Sequence, residues 1–595
     1  MEMKKTISIL LAAMALISFQ ACNDDEFLTE HPKYFYTLDN AFTTPAQVEQ
    51  AVVHLYSHLR SLYIISNENN TFFAYRGGNG TDMFDVSSIR HQFQFNDYSN
   101  LTPERSEYEG IYSHWYKMVS YANVVLYATS LEDIVWDSEQ DRLYAEAQAR
   151  FFRAWAYRNL GEEFGGVPIV TEFSAEPRYD YVRATREATY QFAIDELLEI
   201  LEDLPETAER GRVARGAAQH TLCQLYLDLG IVLEQAGDAE GARTAYLESV
   251  KWGSVLIDGG QYYLMTSRFG TRENESPKFY YSRDAAGQTE DHTYESAGVE
   301  MSGNVFWDLF QMGNQDYHDG NKESIFVTRV DYDAYLAEDK VSRLPYSRMF
   351  SPTFRDPQAG VLEGTMEDVG GRGVTWVMPT AYTRDIIFEG KWANDLRNSE
   401  SVFRRQFVGN VPGSKYYGKV IPWSVLYKDG QSQSARDAAY TQSFPISCKV
   451  QMDSYIDDAA GGNKSNIYRD DYVIRLAETI LLRAEAKFRL GETAAAASDL
   501  NVLRRRAQCK YMITAAEMSL ETILDERARE LMYEEIRWNT LLRMGGTVAV
   551  DRIREYSYWD YPRSGTMKTF NLWPIPQSVI DTNKDVLIEQ NEGWN

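Results

Sequence analysis

The stretch LGETAAAASDLNVLR (490–504) decides how the chain is read, because AGDAEGARTAYLESV (236–250) repeats its internal spacing. Gly491, Ala496 and Leu500 stand at the same separations as Gly237, Ala242 and Tyr246. A glycine closes one helix in a left-handed turn, a small residue lies where two helices touch, and a large one fills the space beyond. Two helix-pair units of this kind are expected to stack on neighbours. Working outward, apolar residues recur at helical spacing over 46–62, 108–131, 141–160, 187–204, 215–233, 240–256, 471–490, 492–509 and 520–542. Thr43-Thr44-Pro45 supplies a start signal for the first of these.

The pattern is that of tetratricopeptide repeats, yet a long Gly-, Tyr- and Trp-rich stretch without helical periodicity separates the two units. The expected fold class is mainly α. A tetratricopeptide-like helical scaffold over 41–260 and 471–595 carries an inserted irregular, loop-rich region at 261–470 with short strands. SIFVTRVDYD (324–333) is a candidate for such strands. An uninterrupted solenoid is disfavoured.

With 595 residues, 44% hydrophobic and 25% charged, the chain has the make-up of a globular protein with one large or several small cores. Its formal net charge of -27 repels phosphate backbones, so no nucleic-acid partner is expected, and charge alone does not dock it on an anionic membrane. Attachment then has to be covalent or through another protein. Lys4 and Lys5 precede an apolar run (7–19) too short to span a bilayer. In FQACNDDEF (19–27), Ala21 stands before Cys22 as in a bacterial lipobox, with Phe19 in place of the more usual Leu. Residues 1–21 are read as a lipoprotein signal peptide, Cys22 as the lipidation site and 22–40 as a tether. Cys223, Cys448 and Cys509 remain, enough for at most one disulfide. They show no CxxC spacing and receive no redox or metal role; Cys223 reads as a small buried hydrophobe.

Six blocks carry a family likeness: ARFFRAWAYRNLGEEFGGVPIV (149–170), GRVARGAAQHTLCQLYLDLG (211–230), NKESIFVTRVDYD (321–333), YVIRLAETILLRAEAKFRLGE (472–492), ILDERARELMYEEIRWNTLLR (523–543) and NLWPIPQSVIDTNKDVLIEQNEGW (571–594). In this order, beginning at EFLTEHP (26–32), they resemble the SusD/RagB family. The resemblance implies an outer-membrane, lipid-anchored protein facing the cell exterior. Such a protein binds oligosaccharide or polysaccharide and hands it to a SusC-type TonB-dependent transporter. It also implies that the scaffold faces the transporter, that the more variable face carries the ligand, and that Asp24-Asp25-Glu26 directs export. A peptide ligand is the alternative within the family; a glycoside hydrolase and a ligand-free scaffold are the readings outside it. In the 523–543 block, Glu526, Arg529, Glu530 and Arg537 sit at spacings that allow intrahelical ion pairs, read as a solvated or scaffold-internal network.

No GxSxG elbow, Walker loop, HExxH or paired CxxC occurs, so neither an enzyme nor a cofactor is expected. His54 and His58 lie four apart but lack a third metal ligand. Asp316, Asp319 and Asn321 gather oxygens that calcium takes, although EF-hand spacing fails and a solvated loop accounts for them. What remains is an aromatic share of 13%, with 40 Tyr and 12 Trp. A sugar offers a C–H face to an aromatic ring and hydroxyls to Asp, Asn and Arg. YRGGNGTDMFD (75–85) with FQFNDYSN (93–100) supplies Arg76, Asp82, Asn96 and Tyr98; HTYESAGVEMSGNVFWDLFQMGN (292–314) supplies Tyr294, Phe306 and Trp307. These seven are the expected ligand-binding residues, and Trp307→Ala is expected to weaken binding at least tenfold, about 1.4 kcal/mol, without altering unfolding. Trp376 and Trp392 rank behind them, while Trp115, Trp155, Trp538 and Trp573 read as core.

Overall fold

A computed structural model describes residues 41–63, 75–86, 101–174, 176–282, 290–332, 344, 346–353, 360–362, 373–451, 467–558 and 571–594. Cys22, the 22–40 tether, Asn96 and Tyr98 lie outside them. Helix α1 (Pro45–Arg60) begins where the start signal puts it: Pro45 opens the first turn, and Thr44 and Gln47 form a reciprocal capping box. Helices α2 (Ser106–Thr129), α3 (Glu139–Glu163), α4 (Arg186–Ile200), α5 (Arg215–Ala236) and α6 (Ala239–Asp258) follow, each packed on its predecessor. From Phe151 to its end α3 is buried on every side, the signature of a helix at the centre of the packing.

The two repeats meet in space. Helix α7 (Leu476–Arg489) packs on α6, and α8 (Thr493–Arg506) packs on α7, so the insertion leaves the helix stack unbroken. Gly237 and Gly491 sit at φ +84° and +82° with nothing within 4 Å of an added Cβ; the left-handed turn, not crowding, requires glycine there. Ala242, Ala496, Tyr246 and Leu500 are all buried, as the shared spacing predicts. The Tyr246 ring lies on Gly230 of α5, where a Cβ would come within 2.5 Å of it.

Among the described residues the strands are short and pair antiparallel: β1 (Phe84–Val86) with β3 (Val377–Pro379), β2 (Ser324–Thr328) with β6 (Asp471–Arg475), and β4 (Phe403–Arg404) with β5 (Ile446–Ser447). β2 falls inside SIFVTRVDYD. β6 corrects the expectation of helix from 471, because the β-branched Val473 and Ile474 favour the extended form once β2 is beside them. The 520–542 segment is likewise two helices, α9 (Leu520–Leu531) and α10 (Arg537–Arg543), with Tyr533 at φ +65° between them. The break lets Glu534 reach Lys449 and Arg475 while Glu535 reaches Arg527 and Arg537.

The charges of this block are internal. Glu526 accepts from Arg397, Arg504 and Arg529 at 2.8, 3.0 and 2.9 Å. Glu530 accepts from Arg397 at 2.9 Å, from Arg475 at 2.8 Å and from Arg506. Of the intrahelical pairs that spacing allowed, Glu526–Arg529 forms; Arg537 instead binds Asp82 at 2.6 Å. Burial alone would raise these carboxyl pKa values, but the surrounding guanidiniums override it, holding Glu526 at about 2 and Glu530 well below the ordinary range. Glu163 is the opposite case. Burial, reinforced by the neighbouring Glu162, pushes it up to about 8 although Tyr75 and Trp115 hydrogen-bond it.

Glu530→Gln leaves three guanidiniums undercompensated and is expected to cost about 3–5 kcal/mol in urea unfolding; a loss below about 1 kcal/mol would show the network to be dispensable. Glu163 keeps a proton that the unfolded chain releases above the ordinary carboxyl value of 4.5, so its contribution is complete below that pH and declines up to about 8. Glu163→Gln should flatten that decline when unfolding is compared at pH 5 and pH 8.

Candidate functional site

The expected ligand-binding side chains in the described part are buried. Exposure is 3% for Arg76, 0% for Asp82, 1% for Tyr294, 2% for Phe306 and 4% for Trp307. Arg76 lies under Tyr63 and Tyr346 with Asp471 at 3.5 Å, and Asp82 binds Arg537 and Arg552. Phe306 covers Arg506 at 4.3 Å, Trp307 covers Arg268 at 5.5 Å, and Tyr294 flanks Arg404. The expectation of exposed aromatics fails at these three positions because each ring is buried against a guanidinium, that of Arg404 or Arg506 itself buried and that of Arg268 partly exposed. Trp376 is buried against Arg348, and Trp392 lies over Arg504 and Arg529. Trp115, Trp155, Trp538 and Trp573 are core, as read from sequence.

The other candidates resolve as structural contacts. A His58 ring nitrogen meets the His114 carbonyl at 2.9 Å. Asp316 caps the turn at His318, Asp319 pairs with Arg210, and Asn321 donates to the Asn314 carbonyl and Tyr472 hydroxyl. Cys223, Cys448 and Cys509 are unpaired and buried, and burial pushes each thiol up to about 12.

A half-buried aromatic array lies instead beside β1 and β3. Trp423 stacks on Tyr427, with centroids 4.7 Å and planes 22° apart; Tyr440 stacks on Tyr558 at 4.4 Å and 10°. Tyr427 and Tyr440 are 6.0 Å apart, and the Arg384 guanidinium lies over both, at 5.3 and 4.5 Å. Four elements position the array. Arg384 ends the short helix Ala381–Arg384, whose cap Thr380 donates to the Asp82 carbonyl at 2.7 Å. Trp423 opens the turn Trp423–Leu426, closed by Lys428 at φ +54°. Tyr440 ends the helix Gln433–Tyr440. Tyr558 follows α11 (Val548–Tyr556) and donates its backbone N–H to Asp85 at 3.2 Å. The 75–86 segment is thus brought to the array through backbone and carboxylate contacts.

Asp385 holds the Arg384 Nε at 2.6 Å and also pairs with Arg405 at 3.3 Å. Arg384 Nη1 and Tyr440 Oη are buried and meet no hydrogen-bond partner among the described residues. Burial pushes the Tyr440 phenol up to about 12, so it remains a donor at any physiological pH. Two unmet polar groups beside stacked rings suit a hydroxylated ligand with one apolar face. Sequence reasoning passed over these residues; the Trp423/Tyr427 spacing of four in IPWSVLY (421–427) is the signal that would have found them.

The architecture defines a helical-repeat scaffold protein that carries an irregular, aromatic- and arginine-rich face. The chain belongs to the SusD/RagB family. The family model described as "SusD family" matches residues 404–594, and one described as "Starch-binding associating with outer membrane" matches 26–227. SusD-like protein P25 of Formosa agariphila is 22% identical, with 99% of this chain and 98% of that protein covered. The starch-binding protein SusD of Bacteroides thetaiotaomicron is 24% identical over 77% of this chain and 74% of its own. The surface glycan-binding protein A of Bacteroides thetaiotaomicron, solved with laminarihexaose, shares the fold at TM-score 0.61, with 18% identity over 92% of this chain and 100% of that one.

Trp307 packs with Phe269, Phe310 and Tyr472 in a buried cluster. Trp307→Ala should therefore lower stability by about 3–5 kcal/mol in thermal or denaturant unfolding, reversing the expectation from sequence.

Proposed function

We propose that the chain is a cell-surface lipoprotein that captures a glycan at the Trp423/Tyr427/Tyr440/Tyr558 array and passes it to a SusC-type TonB-dependent transporter. The observation that carries the site is a pair of buried groups without a hydrogen-bond partner among the described residues, Arg384 Nη1 and Tyr440 Oη, against half-exposed stacked rings. Sugar C–H faces stack on such rings while vicinal hydroxyls meet the guanidinium and phenol. The starch-binding description of the matched family model, the starch-binding relative and the laminarihexaose complex support carbohydrate as the ligand class. Asp385, the carboxylate beside Arg384, is held by two arginines, which supports a role in binding rather than in proton transfer for it. Residues 1–21 act as the export signal and Cys22 carries the lipid, leaving 22–40 as the tether. An acidic protein of this charge needs that tether and a membrane partner to stay at an anionic surface.

Tyr440→Phe separates binding from folding. It removes a buried hydroxyl that has no partner among the described residues, so stability should stay level or rise, while glycan affinity in calorimetry falls. Trp423→Ala should weaken binding at least tenfold, about 1.4 kcal/mol; unchanged affinity in both variants would move the site elsewhere. Cys22→Ala should yield folded, ligand-competent protein that antibody labelling of intact cells no longer finds at the surface.

A further inference from the structure

We propose that the cleft between α2 and the C-terminal segment is a second carbohydrate-binding site, separate from the aromatic array. It encloses about 430 Å³, within the range of small-molecule sites. Three parts of the chain converge on it: the outer face of α2, the 168–182 segment that follows α3, and residues 578–588. No lining residue is shared with the array.

The walls are held to one another, so the cleft is preformed. Asn583 donates to the Tyr181 carbonyl at 2.8 Å and accepts from the Tyr181 N–H at 2.9 Å, and the Asp585 N–H meets the Tyr179 carbonyl at 3.0 Å. On the other side Asn123 donates to the Val170 and Glu172 carbonyls at 3.1 and 3.2 Å, and Tyr116 donates to the Pro168 carbonyl at 2.6 Å. The polar groups that build the cleft are therefore satisfied among themselves, as a rigid binding wall requires.

The lining chemistry selects the guest. Tyr116, Val119, Val170 and Ile588 give an apolar floor, and the half-exposed rings of Phe173 and Tyr181 flank it. The Arg178 guanidinium lies 5.1 Å over the Tyr181 ring, with Glu109 and Glu172 also at the rim. Two carboxylates outnumber that one cation, which is itself paired with Asp180 at 3.0 Å, so an anionic guest is disfavoured. A charged rim likewise disfavours a purely apolar one. A neutral, polyhydroxylated ring with one C–H face satisfies both the floor and the rim, with the Ser113 and Ser120 hydroxyls of α2 beside it. That the guest is a sugar rests on the capture reading above; the position of the cleft does not.

The purified chain, titrated by calorimetry with neutral oligosaccharides including maltohexaose and laminarihexaose, tests this. Two equivalents are expected in the unmodified protein. Trp423→Ala should remove one, and the surface double variant Arg178→Ala/Tyr181→Ala, or Phe173→Ala alone, should weaken the other at least tenfold with an unchanged melting temperature. A single equivalent that Trp423→Ala abolishes and the cleft variants leave intact overturns the second site and keeps the array. A single equivalent lost only in the cleft variants supports the cleft and overturns the array. No binding of any oligosaccharide overturns both.

Discussion

Glu526 and Glu530, each gripped by three arginines, join the two halves of this molecule. Arg397 and Lys449 enter the network from the irregular middle, Arg475 from the end of β6, Arg504, Arg506 and Arg529 from the helical scaffold, and Glu323 closes it by bridging Arg475 and Arg506. Taking an ion out of water costs several kcal/mol, a cost offset only when geometry is good and every partner is present. The arrangement therefore tolerates one geometry of insertion against scaffold and penalises the rest. It also explains why helix ends at Leu531: a continuous helix would not aim Glu530, Glu534 and Glu535 at their separate partners.

The same chemistry accounts for much of the aromatic surplus. Phe306 covers Arg506, Trp392 covers Arg504 and Arg529, Phe279 covers Arg404 at 4.1 Å, and Tyr382 covers Arg552 at 4.7 Å. A planar guanidinium bonds carboxylates in its plane and leaves its faces to rings, so buried arginines and aromatics come together. At Arg384 the pairing is incomplete. Its rings are half-exposed and one terminal nitrogen is unmet among the described residues, which distinguishes a surface able to receive a ligand from a finished core.

Helix periodicity, the Thr44-Pro45 start and the two left-handed glycines were legible because each depends on residues within a turn or two. The same local logic misread 471–475, where apolar spacing fits a helix yet β2 supplies edge partners. It misread Trp307 too, since an aromatic beside Gly and Asn in an irregular stretch looks the same whether it faces water or Arg268. Arg76 and Asp82 were sound as chemistry for recognition, but their counter-charges, Asp471, Arg537 and Arg552, lie hundreds of positions away.

By itself the sequence determined the helical class, the family, the matching repeat units and the positions where only glycine serves. Each follows from short-range backbone sterics and from the period of apolar residues. Tertiary structure alone decided that the separated repeats stack into one scaffold and that the charged 523–543 block lies inside. It also decided that the open aromatic face falls at Trp423, Tyr427, Tyr440 and Tyr558. Burial and pairing across long sequence separations set those outcomes, and no local pattern encodes which ring meets a buried cation and which is left toward solvent.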